Sequence, residues 1–171
     1  MANIEGSFSG MRRYLEKDML AEALRGRVRY KCPHKGLFEV YMDGKLLKRF
    51  CWEAVNSWFI GRGCSVKLRP MDTKDYWKDF WDLLSAFPME QRGEYTDQEF
   101  ARALRWYRES DIQTSLQSPD LIVKMFALLD RRTGSRSLAR LEEEAKTWPD
   151  WLKTVYELRL QAAKGGADGD T

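Results

Sequence analysis

The chain has 171 residues, 43% of them hydrophobic, with seven Trp, seven Tyr and eight Phe. That aromatic content excludes a disordered chain and suffices for one core, or for two subdomains sharing an interface. The net charge of +3 conceals an asymmetry, because residues 1–70 hold 14 Lys/Arg against 7 Asp/Glu and residues 71–171 hold 15 against 19; the first part is therefore the candidate for meeting an anion.

The opening MANIEGSFSGMRRY lacks the basic-then-apolar layout of a signal peptide, and no run approaches the roughly 18 apolar residues of a membrane span, so a cytoplasmic protein is expected. Ser9 precedes GMRRYLEKDMLAEALRG, in which Met11, Leu15, Met19, Leu20 and Leu24 recur at helical spacing and Gly26 supplies a stop. This predicts a helix of about four turns. The period then changes from helical to alternating in RVRYKC, followed by the turn PHKG, the run LFEVYM, Asp43-Gly44, and KLLKRF. Asp-Gly between two β-rich runs predicts a hairpin, and three antiparallel strands are expected near 27–32, 37–42 and 45–50.

A two-residue turn at Asp43-Gly44 sets Met42 opposite Lys45 and Val40 opposite Leu47. A five-residue first loop, 33–37, then places Val28, Tyr30 and Cys32 with Phe38, Val40, Met42 and Leu47 on one buried face, which the first helix covers. The opposite face carries Arg27, Arg29, Lys31, Glu39, Tyr41, Leu46 and Lys48, with Arg25 and Lys35 at its ends. Such a cationic face with an aromatic suits phosphate or an acidic surface; the bland alternative is a solvated face neutralised by its own acids.

The remainder has helical signals. WEAVNSWFI (52–60) ends at Gly61-Arg-Gly63, and a loop with Lys67, Arg69 and Pro70 follows. Asp72 or Thr73 can cap DYWKDFWDLL, whose Tyr76, Trp77, Phe80, Trp81 and Leu84 form one apolar stripe expected in the core. Thr96-Asp-Gln-Glu99 is a capping box opening EFARALRWYRE, Ser118-Pro119 opens DLIVKMFALLDRR with Pro119 at the first helical position, and Trp148-Pro149 opens DWLKTVYELRLQAA. The last two of these helices align at a 30-residue offset, with RSLARLEEEAKTW as a helix between them, a layout compatible with an α-solenoid end or with shared capping chemistry alone. The expected fold is α+β: an N-terminal helix on a three-stranded antiparallel sheet, followed by a helical C-terminal part. Residues 1–63 would hold the helix, sheet and short helix, 64–163 a helical subdomain, and 164–171 (KGGADGDT) a disordered tail without an apolar anchor.

Catalytic patterns are sparse. Cys32, His34, Cys51 and Cys64 match no common zinc spacing, and three cysteines without framework spacing suit buried or idle thiols in a reducing compartment. Asp75, Asp79 and Asp82 share a helix face opposite the aromatic stripe and are expected to be solvated. With no phosphate-binding glycine loop, nucleophile elbow or HExxH, the chain is expected to be no enzyme and to use no metal or cofactor. A second basic cluster, DRRTGSRSLAR, sets Arg131, Arg132, Arg136 and Arg140 about a helix-to-helix turn.

FSGMRRYLEKDMLAEALRGRVRY (8–30), FEVYMDGKLLKRFCWEAVNSWFI (38–60), EYTDQEFARALRWYR (94–108) and IVKMFALLDRRTGSRSL (122–138) resemble, in this order, a small-protein family carried by bacterial mobile elements and prophages. Some of its members are anti-CRISPR proteins that inhibit the RNA-guided nuclease of type II systems. One departure is residues 31–37, KCPHKGL, shorter than the loop of those relatives. The resemblance implies a non-enzymatic inhibitor in the bacterial cytoplasm that binds the RNA-guided nuclease complex, through protein, guide RNA or target DNA, and blocks target binding or cleavage. The alternative is a DNA-binding regulatory protein of a mobile element. For either, the contact candidates are Arg25, Arg27, Arg29, Lys31, Lys35, Tyr41, Lys48, Arg131, Arg132, Arg136 and Arg140.

Overall fold

The change of period at Arg27 is where the chain leaves helix for sheet. The structure, a computed structural model, describes residues 7–64 and 73–165. Strands β1 (Val28–Lys31), β2 (Phe38–Met42) and β3 (Lys45–Phe50) pair antiparallel in the order β1-β2-β3. Val28 lies opposite Met42 and Lys31 opposite Glu39, which is the register expected from a five-residue first loop. The turn at Asp43-Gly44 has positive φ at both residues, 48° and 78°, the geometry that Asp-Gly tolerates best.

In β3 the register departs from expectation. Met42 faces Lys45 and Tyr41 faces Leu46, but Val40 faces Lys48 instead of Leu47, so a bulge at Leu47 shifts every later side chain to the other face. Lys48 is thereby corrected from the outer face to the interior, where it is 9% exposed.

Ahead of the sheet, Ser7 caps α1 (Phe8–Arg13), its Oγ accepting the Gly10 N–H at 3.0 Å, and the helix widens into a π-helical turn, Tyr14–Asp18. The expected four-turn helix stops there. Met19 to Ala21 run alongside Leu129 to Arg131, with Arg131 N–H donating to Met19 O at 2.7 Å and Ala21 N–H to Leu129 O at 2.9 Å. These bridge bonds between distant segments replace helical ones, and only a short 3-10 turn, Glu22–Leu24, follows.

After the sheet come α2 (Trp52–Gly61), α3 (Lys74–Ala86, capped by Thr73), α4 (Asp97–Glu109), α5 (Ile112–Leu116), α6 (Leu121–Leu129), α7 (Ser135–Arg140), α8 (Glu142–Ala145) and α9 (Asp150–Gly165). Both halves of the capping box on α4 are formed, by Thr96 and Glu99. Helix α5, begun by Asp111, was not anticipated, and α6 is capped by Asp120, so Pro119 stands outside its first turn. Lys164 and Gly165 continue α9 instead of starting a tail; the rest of that tail, like Lys67, Arg69, Pro70 and Asp72, lies outside the described residues.

One core joins sheet and helices. Phe100 of α4 is its hub, with ring centroids 4.8 Å from Phe38 and Phe50 of the sheet and 5.4 Å from Phe126 of α6. Helix α1 shares the cover of the sheet, since Phe8 stacks on Phe38 and Met11 and Leu15 are buried in the same cluster. Buried residues on both sides of position 63 thus belong to one core. A smaller cluster of Val55, Phe59, Tyr76 and Phe80 holds α2 against α3. Trp77 and Trp81 correct the expected stripe: at 40% and 49% exposure they line the outside of α3, because the small cluster is filled from this helix by buried Tyr76 and Phe80 with Leu84 half-buried against it.

Candidate functional site

The free edge of β1 would leave backbone groups open to pairing with another strand. Glu16, carried by the π-helical turn, covers it: one carboxylate oxygen accepts the Tyr30 N–H at 2.8 Å and Arg12 Nε at 3.3 Å, and the other accepts Arg29 Nη1 at 3.1 Å. Glu16 is thus buried and fully satisfied. The same turn sets Lys17 and Asp18 next to Arg25, whose Nη2 lies 3.5 Å from Lys17 O.

Asp130 completes the arrangement from the other end of the chain. Its carboxylate, 0% exposed, accepts the Arg132 fork at 3.0 and 2.8 Å, the Arg132 backbone N–H at 2.7 Å, and the Tyr107 hydroxyl. Burial, and then the Asp130 carboxylate, push the Tyr107 phenol well above its ordinary range, so it stays a donor. With Asp130 held this way and Leu20 bridged to it, Arg131 is delivered beside the Lys17-Asp18 turn.

A groove of about 610 Å³ results, lined by Glu16, Lys17, Asp18, Arg25, Gly26, Arg29 and Arg131. Three of the expected contact residues, Arg25, Arg29 and Arg131, meet here although they come from two clusters that the sequence keeps a hundred residues apart. Lys17 and Arg131 have no acidic partner among the described residues, and Arg25 approaches Glu22 only to 4.0 Å. Asp18 is 3.9 Å from Arg13. Four cations stand against two acids, one of which is consumed internally.

The other expected residues are placed differently. Arg27 makes a two-point pair with Asp43, at 2.8 and 3.0 Å, and its fork holds the Asp43 carboxyl below the usual range. Lys31 lies over the Tyr41 ring at 4.1 Å, and the Tyr41 hydroxyl donates to Glu39 at 2.9 Å, an acid that also accepts Arg49 at 3.4 Å. Lys48 donates to Gly93 O at 2.6 Å and Glu94 at 2.9 Å, tying the sheet to the segment before α4. Lys35 is exposed in the first loop, and Arg136 and Arg140 are exposed on α7; none of the three lines the groove. The outer sheet face is therefore largely neutralised by its own acids, whereas in the groove Lys17 and Arg131 stand beside Arg25 with little of their charge spent on acids.

Residues missed in the sequence are Lys17 and Arg108. Lys17 stood inside an expected continuous helix, so no signal marked it. Arg108, in the last turn of α4, stacks over the Tyr14 ring at 5.0 Å, and both Arg108 and Arg132 act electrostatically on the Tyr14 phenol. His34 is exposed in the first loop, the three thiols are free, and burial pushes those of Cys32 and Cys51 upward.

Residues 7–160 match the SF0329 protein family, and that span contains every groove residue. The chain belongs to the SF0329 protein family. No curated protein and no solved structure matches it. In this SF0329 chain no helix of the described residues is long and apolar enough to cross a membrane, and the described residues contain no group of three or more His, Cys, Asp or Glu arranged to hold a metal ion.

Proposed function

We propose that this SF0329 protein is a non-enzymatic binding protein of the bacterial cytoplasm that engages a nucleic-acid-bearing partner through its cationic groove. The carrying observation is the convergence of Arg25, Arg29 and Arg131 with Lys17 in one concavity, where only part of their charge is spent internally. Guanidinium forks on a concave surface suit phosphate, which they engage through paired, charge-assisted hydrogen bonds. The segment resemblance supplies the specific form: the partner is the RNA-guided nuclease complex of a type II system, whose guide and target strands present such phosphates, and binding blocks target engagement or cleavage without chemistry.

Capture from a host extract tests this, using the full chain as bait with and without the guide-loaded nuclease. The loaded complex should be retained and the guide-free nuclease should not. Arg25→Glu with Arg131→Glu should lower retention and inhibition by about tenfold or more, corresponding to about 1.4 kcal/mol. Retention that ignores this charge reversal overturns the groove as the contact; duplex DNA bound with no nuclease retained points instead to the regulatory form.

A further inference from the structure

Resting on that nucleic-acid reading, we infer that the element contacted is the sugar-phosphate backbone of a double strand, and that the contact extends beyond the groove along a strip ending at Arg108. The strip is built from short steps. Arg29 meets Glu16, Arg25 lies against Lys17, and Arg131 lines the same groove. Arg132 follows directly, its fork on Asp130 but its side chain 41% exposed. Tyr14, edge-on to the Tyr107 that donates to Asp130, leads to Arg108 stacked over its ring. Cations spread over several neighbouring elements fit an extended polyanion better than one small anion, which would need enclosure on several sides.

The choice of a double strand comes from the aromatic groups. Proteins that hold single strands without sequence preference combine a basic track with free rings on which bases stack. Among the described residues, no aromatic lines the groove. Tyr14, the ring on the strip, is half-buried, with Arg108 over it and Tyr107 edge-on at 6.4 Å. Trp106, although 41% exposed, precedes Arg108 by two positions, about 200° around α4, and so stands across the buried Tyr107 from it. A surface that offers phosphate contacts and no free stacking platform recognises a backbone whose bases are already paired.

Fluorescence anisotropy of the full chain tests this with two labelled probes of equal length, a mixed-sequence DNA duplex and an oligothymidine single strand. The duplex should bind at least about tenfold more tightly. With about three phosphates neutralised, its affinity should fall roughly 40-fold between about 50 and 200 mM salt. Arg25→Glu with Arg131→Glu should remove duplex binding, the milder Arg25→Gln with Arg131→Gln should weaken it, and Arg108→Glu should weaken it severalfold. Lys35→Glu with Lys74→Glu, an equal charge change at exposed sites off the strip, should leave it unchanged; circular dichroism checks that all variants are folded. Single-strand binding as tight as duplex binding, or an Arg108→Glu protein that binds like the parent, overturns the double-strand strip while leaving the groove reading in place. Binding of neither probe at low salt, or an equal loss in the control variant, overturns the groove reading itself.

Discussion

Asp120 accepts the Ile122 and Val123 backbone N–H groups at 2.9 and 3.4 Å and so caps α6, but burial pushes its carboxyl above the ordinary 3.8. A raised carboxyl binds its proton more tightly in the folded than in the unfolded state. Its contribution to stability is therefore fully present below about pH 3.9 and is lost as pH rises through the folded value. Asp120→Asn keeps an oxygen to accept the same N–H groups and removes the buried charge. At neutral pH it should match or exceed the parent in urea denaturation, and the parent's decline above roughly pH 4 should flatten. Asp120→Ala should lose about 1 kcal/mol with the cap. An Asn variant no more stable than the Ala variant would show that the carboxylate charge itself is needed. That Asp120 caps α6 was hidden by Ser118-Pro119, whose own start signal is stronger in sequence than the Asp that follows it.

Helix α3 separates pattern from burial. Tyr76, Trp77, Phe80, Trp81 and Leu84 make a stripe wide enough for a large core, yet only Tyr76 and Phe80 are buried in the small cluster shared with α2, with Leu84 half-buried against it. Phe80→Ala should cost about 3–5 kcal/mol as a cavity in that cluster, whereas Trp81→Ala should stay below about 1 kcal/mol. Chemical denaturation followed by circular dichroism gives the order, and a costlier Trp81 would mean that its exposed ring has a partner. The strands make a related point. Alternation and Asp43-Gly44 were enough for the β1–β2 register, because turn length and burial both constrain it. The bulge at Leu47 left no local mark, so Lys48 passed for an outer-face cation; its ammonium is satisfied by Gly93 and Glu94, 45 and 46 residues away.

At the scale of the whole molecule, the crossing of Met19–Ala21 with Leu129–Arg131 joins the first helix to α6 and creates the groove. Asp130 is its fastening. Asp130→Ala would strand the buried Tyr107 hydroxyl and release the Arg132 fork, and should cost about 1–3 kcal/mol, the penalty for a buried polar group left without its partner, since the Arg132 side chain is 41% exposed and can be solvated. The same variant, measured below its unfolding transition, should bind the duplex probe more weakly although Asp130 points away from solvent, because Arg131 and Arg132 lose their fixed positions. A destabilised variant with unaltered duplex affinity would show that the crossing stabilises the fold without organising the strip.

The sequence alone determined the α+β class, the order of helix, sheet and helices, the β1–β2 register and the capping box of α4, since periodicity, turn chemistry and end caps act over a few neighbouring residues. It also named Arg25, Arg29 and Arg131 as contact candidates, but together with eight other residues from which spacing could not separate them. Only the tertiary structure decided which cations remain available. Arg27 finds Asp43, 16 residues on, Lys48 finds Glu94, and Arg132 finds the buried Asp130, while the π-helical turn and the Leu20–Asp130 bridge gather Lys17, Arg25, Arg29 and Arg131 around one groove. Charge is written in the sequence, but its neutralisation depends on approach in space to within a few ångströms, which distant packing controls.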